Sequence, residues 1–333
     1  MALDASIRDS LTLPAFCAPM FLVSTPELVS AACKAGIVAA LPRHNARGFE
    51  QFEQWLAQID ADLTAYRDAN PGAQVGPIAV NLPNGLDNEV LNRHLRLFSK
   101  YGVRIVVTAT GDPTETVKQV HDWGGVVYHD VTSLRFAETA IAAGADGLNC
   151  IGAGGGGHSG TVSHLALIPK VREMFDGTIV MAGAVSTGAA IRAAEVLGAD
   201  LAYLGTRFIA TRESGASEEY KQMLVDESAT GLSYTPAIAG VPANWLVESM
   251  RRNGLDPENL PVPNGPMRHD HLPEAVKPWR NLWSAGQGIE LIHDIPPVAE
   301  LVSRLRREYI AACATPDLAE AARLAEQASA TGV

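Results

Sequence analysis

Short, nearly continuous apolar runs alternate with amphipathic helical stretches through the first two-thirds of the chain, and this alternation limits the fold more than any other feature. The runs fall at 15–23, 36–42, 75–82, 103–110, 125–131, 146–153, 178–183 and 200–208. They are apolar throughout rather than at every second position, the pattern of parallel strands covered on both faces. Helical stretches at 49–69, 88–101, 114–123, 133–143, 166–174 and 188–197 lie between them. In the first of these, Phe52, Trp55, Leu56, Ile59 and Leu63 share one face. An earlier helix opens at Thr25-Pro26-Glu27, with Thr25 as cap and Pro26 in the first helical position. The phrases Ala143-Gly144-Ala145-Asp146 and Leu197-Gly198-Ala199-Asp200 repeat one device, in which a helix ends at glycine and an aspartate precedes the next strand. Eight such units predict an α/β chain closed into a (β/α)8 barrel. An open doubly wound sheet would carry a G-x-G-x-x-G turn after the first strand; Met20-Phe21-Leu22 stands there instead.

The pattern changes after residue 211. The sequence divides into a barrel over 1–211 and a helical, loop-rich C-terminal extension over 212–333. Residues 216–229 read as a helix, and 231–287 as a Pro-, Gly-, Asn- and Trp-rich segment with only short helical patches, folded over the barrel mouth. Residues 296–312 and 316–330 read as terminal helices. A structureless loop as long as 231–287 is uncommon in a compact domain, so a packed cover is expected. With 47% hydrophobic and 19% charged residues, the chain can bury a substantial core. Its net charge of −11 argues against broad binding to nucleic acid or an anionic membrane. Cys17, Cys33, Cys150 and Cys313 form no C-x-x-C pair and read as buried free thiols. With no signal peptide in the sequence, a cytoplasmic location is expected. The sequence leaves oligomeric state open, a homodimer included.

In a barrel the residues following each strand gather at one mouth, which here would bring together Met20, Arg43, Asn81, Thr108, Asp130, His158, Ala184 and Thr206. The sixth run empties into Gly154-Gly155-Gly156-Gly157-His158-Ser159-Gly160. Each glycine gives up backbone entropy that alanine would spare. The return expected is close approach of main chain to a planar or anionic ligand, with one imidazole beside it to handle a proton. After the seventh and eighth runs, Met181-Ala182-Gly183-Ala184-Val185-Ser186-Thr187-Gly188 and Leu204-Gly205-Thr206-Arg207-Phe208 read as phosphate loops assisted by helix N-termini. The structural alternative is that Gly183 and Gly205 only ease tight turns. His94 and His121 read as surface helix residues, and His129 and His164 as secondary candidates. His269-Asp270-His271 reads as a solvated turn rather than a metal site, and no metal is expected. Trp245, Trp279 and Trp283 could pack a core or cover a flat ring. Arg43, Asn45, Tyr234 and Asn244 are candidate substrate contacts.

Across nearly its whole length the chain resembles the nitronate monooxygenase family of FMN-dependent TIM-barrel enzymes. The resemblance rests on Ala18-Pro19-Met20, Val80-Asn81-Leu82, His129-Asp130-Val131-Thr132-Ser133 and Gly155-Gly156-Gly157-His158-Ser159-Gly160. Ala182-Gly183-Ala184, Gly205-Thr206-Arg207-Phe208 and Ser284-Ala285-Gly286-Gln287-Gly288 complete it in order. It implies FMN, with Gly183, Ala184, Gly205 and Thr206 holding the phosphate. It further implies a ring over Pro19 and Met20 near Gly157, with Asn81 and Gln287 at polar ring edges. His158 matches the family's active-site histidine. Some relatives carry lysine where this chain has Asp130, so the polar contact there differs. The implied activity is oxidation of alkyl nitronates by O2 to a carbonyl compound and nitrite. The alternatives are an NAD(P)H-dependent flavin reductase acting on quinones or enoyl thioesters, and a flavin-free phosphate-ligand isomerase or lyase.

Overall fold

A computed structural model of the chain describes residues 3–265, 268, 270–314 and 323. Eight strands form a closed barrel: β1 (Ala15–Cys17), β2 (Val38–Pro42), β3 (Ile78–Pro83), β4 (Ile105–Ala109), β5 (Val126–Val131), β6 (Gly147–Ile151), β8 (Thr178–Ala182) and β9 (Leu201–Leu204). All neighbours are parallel, and β1 pairs with both β2 and β9, closing the ring. A ninth short strand, β7 (Gly157–His158), stands outside the barrel in a second sheet with β10 (Leu232–Thr235) and β11 (Ala243–Leu246).

Successive strand residues point to opposite faces, so each barrel strand fills two cores. Phe16, Val38, Ala40, Ala79, Val107, Tyr128, Val180 and Tyr203 fill the barrel itself. Leu41, Val80, Val106, Val127, Leu148 and Ile179 face the surrounding helices. Each large side chain removed from water contributes about 1.5–3 kcal/mol. This double burial explains why the runs read as continuous rather than alternating.

The repeated Gly-Ala-Asp phrase has a mechanical role. Gly144 and Gly198 take φ of +83° and +108°, which ends each helix sharply. Asp146 Oδ2 then accepts the N–H of Val127 at 2.8 Å, and Asp200 Oδ2 accepts the N–H of Ile179 at 2.9 Å. His121 and Arg172 supply the balancing donors. Each aspartate therefore ties its own strand to the start of the preceding one.

The helix Val298–Cys313 packs on both Pro26–Lys34 and Gly188–Leu197, the helices on either side of the barrel seam. It takes the eighth place in the helix ring, so the 211/212 boundary separates β9 from the helix that completes its unit. A Cβ on Gly188 would run into the Leu305 carbonyl, and the Gly188 N–H donates to Glu308 Oε2 at 2.8 Å.

Several sequence expectations need correction. The eighth run stops at Leu204, because Thr206–Ile209 turns into a helix; the first run yields only three paired residues. The 231–287 segment contains two strands, which its Pro and Gly content concealed, besides the expected short helical stretch at Val247–Arg252. His94 is buried rather than a surface residue. Its Nδ1 donates to the Val90 carbonyl at 2.7 Å and its Nε2 accepts from Arg43 Nε at 2.8 Å. Cys17, Cys33 and Cys150 are buried free thiols, but Cys313 is exposed. The expected helix at 316–330 lies outside the described residues apart from 323. Among the described residues no helix is long and apolar enough to cross a membrane.

Candidate active site

The mouth is built from the C-terminal strand ends. Asn81 lies two residues beyond inward-facing Ala79, and Asp130 two beyond inward-facing Tyr128, so both continue the inner face. Both are half-buried. Asn149 and Tyr203 join them from β6 and β9. Asn149 Nδ2 donates to Asp130 Oδ1 at 2.8 Å, and Asn81 Nδ2 to the Val107 carbonyl at 3.3 Å. Burial pushes the Asp130 carboxyl up to about 7, with the Asn149 hydrogen bond pulling the other way.

Two expected mouth residues face elsewhere. Thr108 points outward and pairs its hydroxyl with His129 Nδ1 at 2.8 Å, fully buried. Burial depresses the His129 imidazole to about 4, so it is neutral at physiological pH. Arg43 turns away to His94 and lies over the Phe52 ring.

The glycine-rich segment is not uniformly open. A Cβ on Gly154 would meet Gln287 Oε1 at 2.9 Å, one on Gly155 would meet Ile151 Cγ2 at 3.0 Å, and one on Gly156 the Gly286 amide at 2.8 Å. These three glycines serve packing against this chain's own 284–288 loop and β6. Gly157 alone of the four has φ of +67° together with open space over its Cα. Close approach of a ligand to main chain is therefore available there, beside His158.

His158 does not sit on a loose loop. Gly157 and His158 pair antiparallel with Asn244 and Ala243 of β11. Asn244 Nδ2 donates to the Gly155 carbonyl at 2.7 Å, and the Tyr234 hydroxyl to the Ser159 carbonyl at 2.8 Å. The His158 ring meets the edge of Trp279, centroids 5.5 Å apart and planes at 79°. Trp279 also contacts Phe21, from the β1 loop, and buried Trp245. Of the three tryptophans weighed from sequence, Trp279 borders the histidine. Trp245 is core, and Trp283 stacks on Tyr220.

Of the candidate substrate contacts, Asn45, Tyr234 and Asn244 make structural hydrogen bonds, the alternative the sequence left open for each. Asn45 Nδ2 donates to the Met20 and Ser24 carbonyls, and its Oδ1 accepts the Leu22 N–H. This shapes the β1 loop that carries Pro19 and Met20. Leu22, Thr110, Ala184 and Trp279 all take φ near +60° without being glycine. The first three follow β1, β4 and β8, and the fourth touches His158, so the strained backbone gathers around the mouth.

Next to the glycine-rich segment, where a Cβ on Gly156 would come within 3.2 Å of Thr206 Oγ1, Gly205 is open. The nearest atoms to a Cβ there are Ala18 Cβ and Met20 Sδ, both at 3.8 Å. Thr206 Oγ1 accepts the Gly286 N–H at 2.9 Å, which leaves its hydroxyl hydrogen to donate. Gln287 is exposed and lies beside Gly154 and Ala184, on this rim. The N-terminus of Gly188–Leu197 is already capped by Thr187 and by the Glu308 carboxylate, so that helix end is spoken for. His164, the other secondary candidate, donates through Nε2 to the Ala182 carbonyl at 2.7 Å and serves the β8 turn. No cluster of three or more metal-ligating side chains occurs among the described residues.

The nitronate monooxygenase family model matches residues 52–308. The chain belongs to the nitronate monooxygenase family. A nitronate monooxygenase of Paraburkholderia phytofirmans is 28% identical, over 89% of this chain and 92% of that one. A nitroalkane oxidase structure from Streptomyces ansochromogenes shares the fold with a TM-score of 0.70, at 24% identity over 93% of this chain and 99% of that one. An indene-carboxyl-CoA dehydrogenase of Mycobacterium tuberculosis is 28% identical over 46% of this chain and 44% of its own. Membership makes the chain an oxidoreductase of a flavin-using family.

Sequence reasoning missed Asn149, Tyr203 and Glu308. The signal for Asn149 was present: one amide inside the apolar run Gly147–Ile151 is a buried polar group that needs a reason. Glu308 carried no local signal, since its partner lies 120 residues away.

Proposed function

We propose that the chain oxidises alkyl nitronates with O2 at a bound FMN, giving a carbonyl compound and nitrite. One observation carries the reading. His158 is pinned on a short strand at the barrel mouth, against Trp279 and next to Gly157, whose Cα has open space above it. The surrounding residues fit a flavin. Open glycines stand at two places on the rim, and the inner face carries buried polar atoms without hydrogen-bond partners, Asn149 Oδ1 and Tyr203 Oη. Gly183, Ala184, Gly205 and Thr206 would hold the phosphate. Pro19, Met20 and Gly157 would border the ring, with Asn81, Asp130 and Gln287 as polar contacts. When bound, the flavin supplies the electron-accepting chemistry that amino-acid side chains lack.

The protein's own groups bind, orient and manage protons. A protonated His158 donates a charge-assisted hydrogen bond to the nitronate oxygens and so favours the anion. An unprotonated His158 can take the α-proton of a neutral nitroalkane. These roles need opposite charge states, so pH separates them. Activity on nitronate falls as pH rises through the His158 pKa, whereas activity on neutral nitroalkane rises. Trp279 packs edge-on against the imidazole, and Phe21 in turn packs against Trp279.

Anaerobic addition of a short alkyl nitronate to FMN-loaded protein is the decisive measurement, with loss of visible flavin absorbance as the expected result. An unchanged spectrum, with rapid bleaching by NADH or NADPH instead, supports a reductase or dehydrogenase of acyl thioesters. The similarity to the Mycobacterium tuberculosis CoA dehydrogenase favours that second reading.

A further inference from the structure

The inner face of the barrel mouth holds a polar trio with an unbalanced hydrogen-bond count. Asn149 is fully buried and gives one amide hydrogen to Asp130 Oδ1 at 2.8 Å. Its own oxygen has no hydrogen-bond partner, and neither does the hydroxyl of buried Tyr203. Burying acceptors without donors is unfavourable. A proton on Asp130 makes the acid a donor while its Oδ1 goes on accepting from Asn149.

Among the described residues, the adjacent strands place no lysine or arginine beside Asp130 on the inner face. The inward neighbours of Asp130 on β4 and β6 are Val107, Ala109, Asn149 and Ile151, none of which titrates. Tyr203, across the barrel on β9, is held neutral by burial, with Asp130 adding to the upward push. His129, the adjacent residue on β5, points outward to Thr108 and feels Asp112 instead. His158, on β7, is a further titratable group at the mouth. Asp130 lies deep among protein atoms yet keeps an accessible edge toward the mouth.

We propose that Asp130 acts as a neutral carboxylic acid that donates its proton in a hydrogen bond to the acceptor edge of a planar heterocycle lying across the mouth, with Asn149 and Tyr203 completing the polar row. The proposal rests on the flavin reading above, and FMN is the ligand to test. Ionisation of Asp130 removes the donor and sets a negative charge against an electron-rich ring. Burial brings that changeover to about 7, within reach of ordinary assays.

The test is FMN binding to flavin-stripped protein at pH 7.5 and 8.5, above the second ionisation of a phosphate monoester at about 6. The dissociation constant is expected to rise up to about tenfold over that unit in the wild type, and less than about twofold in Asp130→Asn, which keeps a donor that does not titrate. Equal pH dependence in both proteins overturns the proposal. Infrared spectra of aspartate-labelled protein provide a second readout without flavin. A protonated-carboxyl band at pH 6 that fades by pH 8.5, and that Asp130→Asn lacks, supports the neutral acid; its absence from the wild type overturns it. Failure to bind FMN at any pH defeats the flavin reading and with it the ligand named here, while the infrared band still decides the proton. If Asp130→Asn does not fold, Asn149→Ala serves. Removing the one donor to the carboxyl shifts the changeover to higher pH, and an unmoved changeover counts against the trio.

Discussion

Gly157 shows how one residue can be both a conformational and a chemical requirement. Its φ of +67° disfavours any side chain, and the open space above it is the ligand's approach. Gly157→Ala is expected to fold, with a loss of about 1–2 kcal/mol in denaturant unfolding and weaker FMN binding. Gly156→Ala is expected to lose more stability, since its Cβ would press on the Gly286 amide at 2.8 Å. Two titratable residues shifted by burial, Asp130 and His129, set opposite pH trends. Asp130 binds its proton more tightly folded than unfolded, so its contribution makes stability fall as pH rises from about 4 to about 7. Asp130→Asn is expected to flatten that slope in urea titrations across the same window. His129, depressed to about 4, binds its proton less tightly when folded, so its contribution is intact above about 6.5 and is lost as pH falls toward 4. At this scale the sequence was legible where a residue type was costly in its setting, as with His158 among glycines. It was silent on direction. Thr108 and Arg43 stand at strand ends as expected, but strand parity and a buried His94 turn them outward.

The β10–β11 hairpin is the element that gives His158 a fixed bearing. Asn244 and Tyr234 bond to the main chain on either side of the histidine, at Gly155 and Ser159. Asn244→Ala removes a buried donor from the Gly155 carbonyl and is expected to cost about 1–3 kcal/mol of stability. It should also lower kcat more than it raises KM, because the histidine loses aim while the rest of the mouth persists. Equal effects on both parameters, or none, would show that the hairpin only covers the barrel. The hairpin was illegible in sequence for a physical reason. Each strand has four residues, and Pro236, Gly240 and Pro242 interrupt the stretch between them. Its pairing partner is a two-residue strand whose glycine has no β propensity. The barrel strands were legible because burial on two faces writes itself into every position.

At the scale of the whole molecule, the ring is completed from the far end of the chain. Val298–Cys313 packs across the seam and reaches the first residue of Gly188–Leu197 at a place where only glycine fits. Gly188→Ala is expected to be strongly destabilising, by about 3 kcal/mol or more, because a backbone carbonyl must move. Glu308→Gln keeps the shape but removes the charge at that helix end, and is expected to cost about 0.5–1 kcal/mol in thermal unfolding. The chain order of these pieces has a consequence for biosynthesis. All eight staves exist once residue 204 has left the ribosome, yet the hoop that clamps first stave to last is translated about a hundred residues later. A nascent chain halted between those points holds an unlatched cylinder with an exposed apolar seam, and for that interval a chaperone has something to grip.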